Sequence, residues 1–207
     1  MHNLNRTASL GGLILGVVLL GYVIYELVLY PAAGFPTADF AVIVAGANTL
    51  RVGHLLKFGY AAGVALMLVG LFARAREVSP SLAQLAAVSA AGAATLYVAS
   101  AMLGLRILEE AEFLFASKPS EAITTILMRA VTISLFEAAI LASGLFALLI
   151  SLALRHERAF PRWLAYAGIL LGMLFIASRI LPAEAAVVTA LAAMVWAFGV
   201  AWMLWGK

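Results

Sequence analysis

Long apolar stretches alternate with short polar segments along the chain, and six of these stretches are about as long as a bilayer is thick. A hydrocarbon core of about 30 Å needs about 20 apolar residues in a helix. The stretches cover residues 9–30, 52–73, 82–105, 131–154, 163–181 and 185–205, and Pro31 is expected to stop the first. They predict an all-α, polytopic membrane protein with six transmembrane helices in one bundle, a single transmembrane domain over residues 1–207. Pro80, Pro119, Pro161 and Pro182 fall in the connections, where a missing N–H does no harm. Residues 37–50 are too short to span and read either as an interfacial helix or as a tilted extension of the second span. The segment 108–120, with Glu109, Glu110, Glu112 and Lys118, begins as a continuation of the third helix.

Composition agrees with the pattern. Of 207 residues, 65% are hydrophobic and 11% charged, against about 45–50% and about 25% in soluble domains. Mean hydropathy is +1.08. The net charge of +3 comes from basic residues scattered at helix ends, with no basic stripe or interleaved aromatics, so nucleic acid is not an expected partner. The chain has no cysteine, which excludes disulfides, thiol catalysis and cysteine-ligated metal. The apolar run after Arg6 exceeds the about 7–15 residues of a cleaved signal core and reads as a retained first helix.

Loop charges set an expected orientation. Arg6, Arg74, Arg76, Arg155, Arg158, Arg162 and Lys207 share one side with only Glu77 and Glu157. Positive residues stay in the cytoplasm, so both termini are expected inside, in a cytoplasmic membrane. Trp163, Trp202 and Trp205 suit the inner interface as anchors, and Tyr25 and Tyr30 the outer one. Arg74 to Pro80 and Arg155 to Pro161 have the same spacing, a weak internal echo that two inner loops under the same rules also produce.

The opposite end is unusual. Glu26, Arg51, His54, Lys57, Arg106, Glu109, Glu110, Arg129, Glu137 and Arg179 all fall towards it. A charge in hydrocarbon costs about 2.5–3.5 kcal/mol on insertion scales, so the deeper ones need partners or water. Glu137 is the deepest and lies roughly 12 Å along the helix from Arg129, so its partner comes from another helix, Lys57 first and Arg106 or Arg179 next. Arg106 has Glu109 and Glu110 one turn on and can be neutralised locally. Arg51, Arg179 and Glu26 are shallow enough to snorkel. The candidate ligand-binding set is His54, Lys57, Arg106, Arg129 and Glu137. Such a set attracts an anionic or zwitterionic ligand, and Glu137 and His54 are also able to carry protons.

Helices in lipid associate through close approach of small residues. Gly12 with Gly16, Gly59 with Gly63, and Gly168 with Gly172 each place two glycines on one face. They serve either a homodimer or packing within the chain, and six helices leave many internal contacts to make. No catalytic residue, metal site or cofactor is expected. His54 is the only histidine inside the membrane, too few for bis-histidine haem or a histidine metal site. Glu109-Glu110 lacks the arginine that follows the paired glutamates of intramembrane prenyl-endopeptidases. Ser143-Gly144 has Leu141 where the rhomboid motif has glycine and no later histidine as a base. There is no phosphate-binding glycine loop.

Three places carry a resemblance: Leu50-Arg51-Val52-Gly53 opening the second span, Phe160-Pro161-Arg162-Trp163-Leu164 with Ala167-Gly168 opening the fifth, and the terminal Trp202-Met203-Leu204-Trp205-Gly206-Lys207. With these the chain resembles an uncharacterised family of bacterial six-helix membrane proteins, domain of unknown function 4386, over nearly its whole length. The resemblance implies a fold and a bacterial inner membrane and carries no catalytic residues. Two functional classes follow. One is a protein that binds or transports a small anionic or zwitterionic solute, or a lipid head group, in an outward-facing polar pocket. The other is a non-catalytic membrane subunit or regulator with structural intramembrane charges and a membrane-protein partner. An enzyme on lipid-linked substrates would need His54 and a carboxylate within hydrogen-bond reach.

Overall fold

Lipid offers backbone groups no hydrogen bonds, so an apolar chain of this kind must satisfy them within helices. In the computed structural model, which describes residues 2–34, 40–117, 122–178 and 184–205, almost every such residue is helical. Asp39, Lys118, Pro119, Arg179, Pro182 and Lys207 lie outside the described residues. The elements are α1 (His2–Ile24), a π-helical turn (Tyr25–Leu29), α2 (Tyr30–Ala32), α3 (Phe40–Ala45), α4 (Ala47–Val78), α5 (Pro80–Ser117), α6 (Ala122–Leu154), α7 (Arg162–Ala177) and α8 (Glu184–Trp205). Five stretches are long and apolar enough to cross a membrane: Asn3–Ala32, Ala47–Val78, Pro80–Ala111, Met128–Leu154 and Ala186–Trp205.

The fifth apolar stretch is shorter than expected. Helix α7 has 16 residues, about 24 Å at 1.5 Å per residue, less than a bilayer core. It stops at Ser178, whose N–H bonds the Leu174 carbonyl and whose hydroxyl donates to the Phe175 carbonyl.

Pro31 does not stop the first helix. The π-turn immediately before it lets the Tyr30 N–H reach the Tyr25 carbonyl, and the chain stays helical to Ala32. Proline has no N–H for the usual bond one turn back, and a widened turn accommodates that loss. Of segment 37–50, residues 37–39 lie outside the described residues and the rest divides at Gly46: α3 is a short helix of its own, and 47–50 is already the start of α4. Ile43, Ala47 and Leu50 pack with Leu108 as a small second core.

Helices α1 and α4 to α8 close into a ring. Helix α1 packs on α4 and α8, α4 on α5, α5 on α6, α6 on α7, and α7 on α8, with α4 also reaching α6 across the middle. Glycines set the seams. A Cβ on Gly12 would meet the Ala197 carbonyl and Ala201, one on Gly63 would meet the Leu15 backbone, and one on Gly172 would meet Leu148 and the Gly144 carbonyl. All three glycine pairs are therefore used inside the chain, which removes the surface a homodimer through them would need. Hydrogen bonds cross seams as well; among them, Ser9 Oγ donates to the Ala201 carbonyl at 2.7 Å, and Trp196 Nε1 donates to the Leu164 carbonyl at 3.1 Å. Replacing Gly12 with leucine should force α1 off α8 at a cost of about 1–3 kcal/mol. A lowered midpoint of detergent-induced unfolding would report it, with Leu10→Ala on the exposed face as the unaffected control.

The half of the ring that carries Arg74 is filled. Met67, Leu71, Phe146, Ile150, Leu154, Leu164 and Leu204 are fully buried there. Arg74 itself turns into the bundle and is only 6% exposed; its Nε donates to Asn5 Oδ1 at 3.1 Å and its Nη1 to Glu157 Oε1 at 2.8 Å. Arg155, at the corresponding place of the other loop, is exposed and bonds its neighbour His156. The echo between the two loops is thus one of spacing, with different structural roles for the two arginines.

Candidate functional site

The half of the ring away from Arg74 holds a cavity of about 150 Å³, room for on the order of ten waters. Helix α1 with its π-turn, α3, α4, α5 and α6 wall it. Its ionisable lining is Glu26, His54, Lys57 and Arg129, beside the tyrosines at 22, 25 and 30. Two basic side chains therefore face one carboxylate there.

Local geometry places each group. His54 and Lys57, three residues apart, share a face of α4. Lys57 Nζ lies 3.2 Å from His54 Nδ1 and donates to Ser100 Oγ on α5 at 2.9 Å. Ser100 is fully buried and its hydroxyl donates a hydrogen bond to the Thr132 carbonyl on α6 at 2.9 Å. The ammonium also stands 4.7 Å from the centre of the Phe136 ring, within cation–π range. With the ammonium as donor, His54 Nδ1 accepts, which leaves the ring proton on Nε2. Gly104 makes room for this arrangement: a Cβ there would overlap the imidazole.

On the other wall the π-turn aims Glu26 and Tyr25 into the same space. Tyr22 and Glu26 line it together one turn apart, and Arg129 Nη2 lies 3.4 Å from the Tyr30 hydroxyl. Widened turns of this kind recur at functional sites because they re-aim side chains that a regular helix would point elsewhere.

Of the five residues the sequence singles out, three meet in this cavity: His54, Lys57 and Arg129. Arg106 does not. It lies exposed on α5, bonded to Glu109 at 3.3 Å and Glu110 at 3.0 Å, the local neutralisation its spacing allows. Glu137 lines a neighbouring cavity of about 200 Å³, and the two cavities share Tyr22, Ile133 and Phe136 as a common wall. The expected Lys57–Glu137 pair is not formed. Among the described residues Lys57 meets His54, Ser100 and Phe136, and no carboxylate pairs with it. The imidazole of His54 likewise meets Lys57 rather than a carboxylate. Glu26 and Tyr25 also depart from expectation. Glu26 lines the cavity rather than snorkelling, and Tyr25 is buried rather than anchored at an interface.

Sequence reasoning missed Tyr22, Glu26, Ser100, Gly104 and Phe136 as parts of this site. One signal was present: Tyr22 and Glu26 sit one helical turn apart next to Pro31. Nothing in the order of residues marks Ser100 or Gly104, whose role depends on which helix faces them. Ser143 is a packing residue, donating to the Tyr97 hydroxyl at 3.2 Å. Among the described residues no cluster of histidine and carboxylate side chains is placed to hold a metal ion.

Fold and site together define a helical membrane protein with a polar cavity between its helices at one end of the bundle. The chain belongs to the family described as Domain of unknown function (DUF4386), whose model matches residues 9–205. No curated protein and no solved structure matches it.

Proposed function

We propose that this protein binds, or carries across the membrane, a small anionic or zwitterionic solute or lipid head group in the cavity around Lys57, Arg129, His54 and Glu26. One observation carries the reading: Lys57 lines a cavity of about 150 Å³ without a carboxylate partner among the described residues. A cation at this depth is costly when alone, and an anion in the cavity would offset that cost. Glu26 on the facing wall suits a ligand with a positive group as well.

The reading places both termini in the cytoplasm and the cavity at the outer face of a cytoplasmic membrane. Loop arginines support that orientation, as do exposed Trp163, Trp202 and Trp205 around the opposite end. A thiol introduced at exposed Glu109 in this cysteine-free chain should react with an impermeant maleimide from outside intact cells. Labelling only after lysis would reverse the orientation.

Native mass spectrometry of the purified protein tests the binding itself. A retained small acid, zwitterion or lipid is expected on the wild type and should be lost from Lys57→Met. Equal occupancy of both proteins, or none in either together with no protection of Lys57 from acylation by added butanoate or phosphate, would overturn the reading. The alternative, a non-catalytic membrane subunit whose charges are structural, draws support from Arg74, Asn5 and Glu157, which bond one another without a ligand.

A further inference from the structure

The polar cavity is the outermost of three that share walls towards the middle of the bundle. The second, of about 200 Å³, adjoins it across Phe136, Tyr22 and Ile133. The third, of about 30 Å³, adjoins the second across Leu19, Tyr60, Tyr97 and Phe175, and its lining runs as far as Leu15, Val64 and Trp196. The distance covered along α4, from Lys57 to Val64, is roughly 10 Å. Beyond it stands the fully buried plug of Met67, Leu71 and Ile150.

The character of the lining changes along this line. Lys57, Arg129 and His54 stand at the outer end. Glu137, Ser178 and Thr189 stand on the α6–α7–α8 side of the second cavity, and its remaining walls are apolar or aromatic. The third is walled by Leu15, Leu19, Val64, Phe146, Leu171 and Trp196, relieved only by Ser143 and the tyrosines at 60 and 97. A small hydrophilic solute would use the outer chamber and gain nothing from the inner two. A molecule with an anionic head and one slender apolar tail would use all three.

We infer that the ligand class is a single-chain anionic amphiphile, with its carboxylate or phosphate at Lys57 and Arg129 and its tail past Phe136 towards Trp196. This rests on the outer-cavity reading above and deepens it. Aromatic walls fit the role of a tail passage: the Phe136 ring packs 6.1 Å from Tyr22 and 5.9 Å from Tyr97, and Tyr97 stacks on Tyr60 at 5.1 Å. Rings of this kind turn about a few side-chain bonds and offer apolar faces without leaving unpaired backbone groups. Phe136 is the gate between head and tail chambers, because the same ring also faces the Lys57 ammonium.

Trp196 at the far end supplies the test. The other three tryptophans, at 163, 202 and 205, are exposed on the outside of the bundle and can be changed together to phenylalanine. In phosphatidylcholine nanodiscs, ω-bromododecanoate should quench the remaining Trp196 emission, saturating near one molecule per protein. Lys57→Met should weaken that quenching, and Ala190→Phe, which fills the second cavity, should abolish it. Ile140→Phe on the opposite wall serves the same purpose should Ala190→Phe not fold. Stronger displacement by unlabelled dodecanoate than by dodecyl phosphate identifies a carboxylate head, and the reverse a phosphate head. Quenching that rises linearly with bilayer content, or that is unchanged in Lys57→Met, overturns the inference. Protection of Lys57 from acylation by butanoate, with no quenching by the long chain, overturns the amphiphile alone and leaves the outer pocket standing. Loss of both removes both.

Discussion

Arg74→Met should be the most damaging single substitution among the charged residues described here. Its guanidinium is almost wholly buried and holds together three parts of the chain: Asn5 near the start of α1, the last turns of α4, and Glu157 in the α6–α7 connection. Removing one member of a buried pair leaves the other without compensation, at a cost of about 3–5 kcal/mol. Glu157 is already short of partners, since its Oε2 is buried without a hydrogen bond. The double change Arg74→Met with Glu157→Leu should recover much of the loss, because it removes the stranded carboxylate too. The midpoint of unfolding in mixed detergent micelles reads both effects. A single mutant as stable as the wild type would show that Asn5 and Glu157 find water when the arginine is gone.

Lys57→Met should do the opposite: little harm to the fold and severe harm to binding. The lysine has no carboxylate partner among the described residues, so no countercharge is stranded by its removal. Methionine of similar length can keep the contact with Phe136 and removes a charge from the bundle, so stability should hold or rise slightly. Ser100 loses a donor to its hydroxyl but keeps its own bond to the Thr132 carbonyl. Binding of an anion should fall by about 2–5 kcal/mol, the usual penalty when one partner of a desolvated charge pair is truncated. Calorimetric titration with octanoate, beside the unfolding midpoint, separates the two quantities. A Lys57→Met protein that unfolds as readily as Arg74→Met and binds as well as the wild type would make Lys57 a structural residue and end the pocket reading. The two cations thus form a matched pair of tests at opposite ends of the bundle.

How far the site could be read from the chain depends on the distance over which each fact operates. Arg106 with Glu109 and Glu110 is a one-turn interaction, and residue order alone was enough to anticipate it. That His54 and Lys57 share a face is likewise a matter of helical spacing. The partner of Lys57 is not, because it depends on the rotation of α5 and α6 against α4. That rotation puts Ser100 and Phe136 in front of the ammonium and sends Glu137 to the other side of the Phe136 ring. Arg74 misled for the same reason. In the chain it is one more positive residue after a span, and its inward turn appears only when α1 and the α6–α7 loop are placed beside it.

By itself the sequence determined that this protein is a bundle of apolar helices, where most of those helices lie, and that ionisable side chains gather at one end. These follow from burial and hydrogen bonding within a segment, because in lipid a helix closes its own backbone bonds without reference to its neighbours. Only the tertiary structure decided which charges meet. It closed the ring, widened the turn before Pro31 so that Glu26 faces the cavity, shortened α7, and left three cavities in a row leading towards a filled half around Arg74. The physical reason is that helix association in a membrane is settled by the fit of small and large side chains across seams, and that fit depends on residues far apart in the chain.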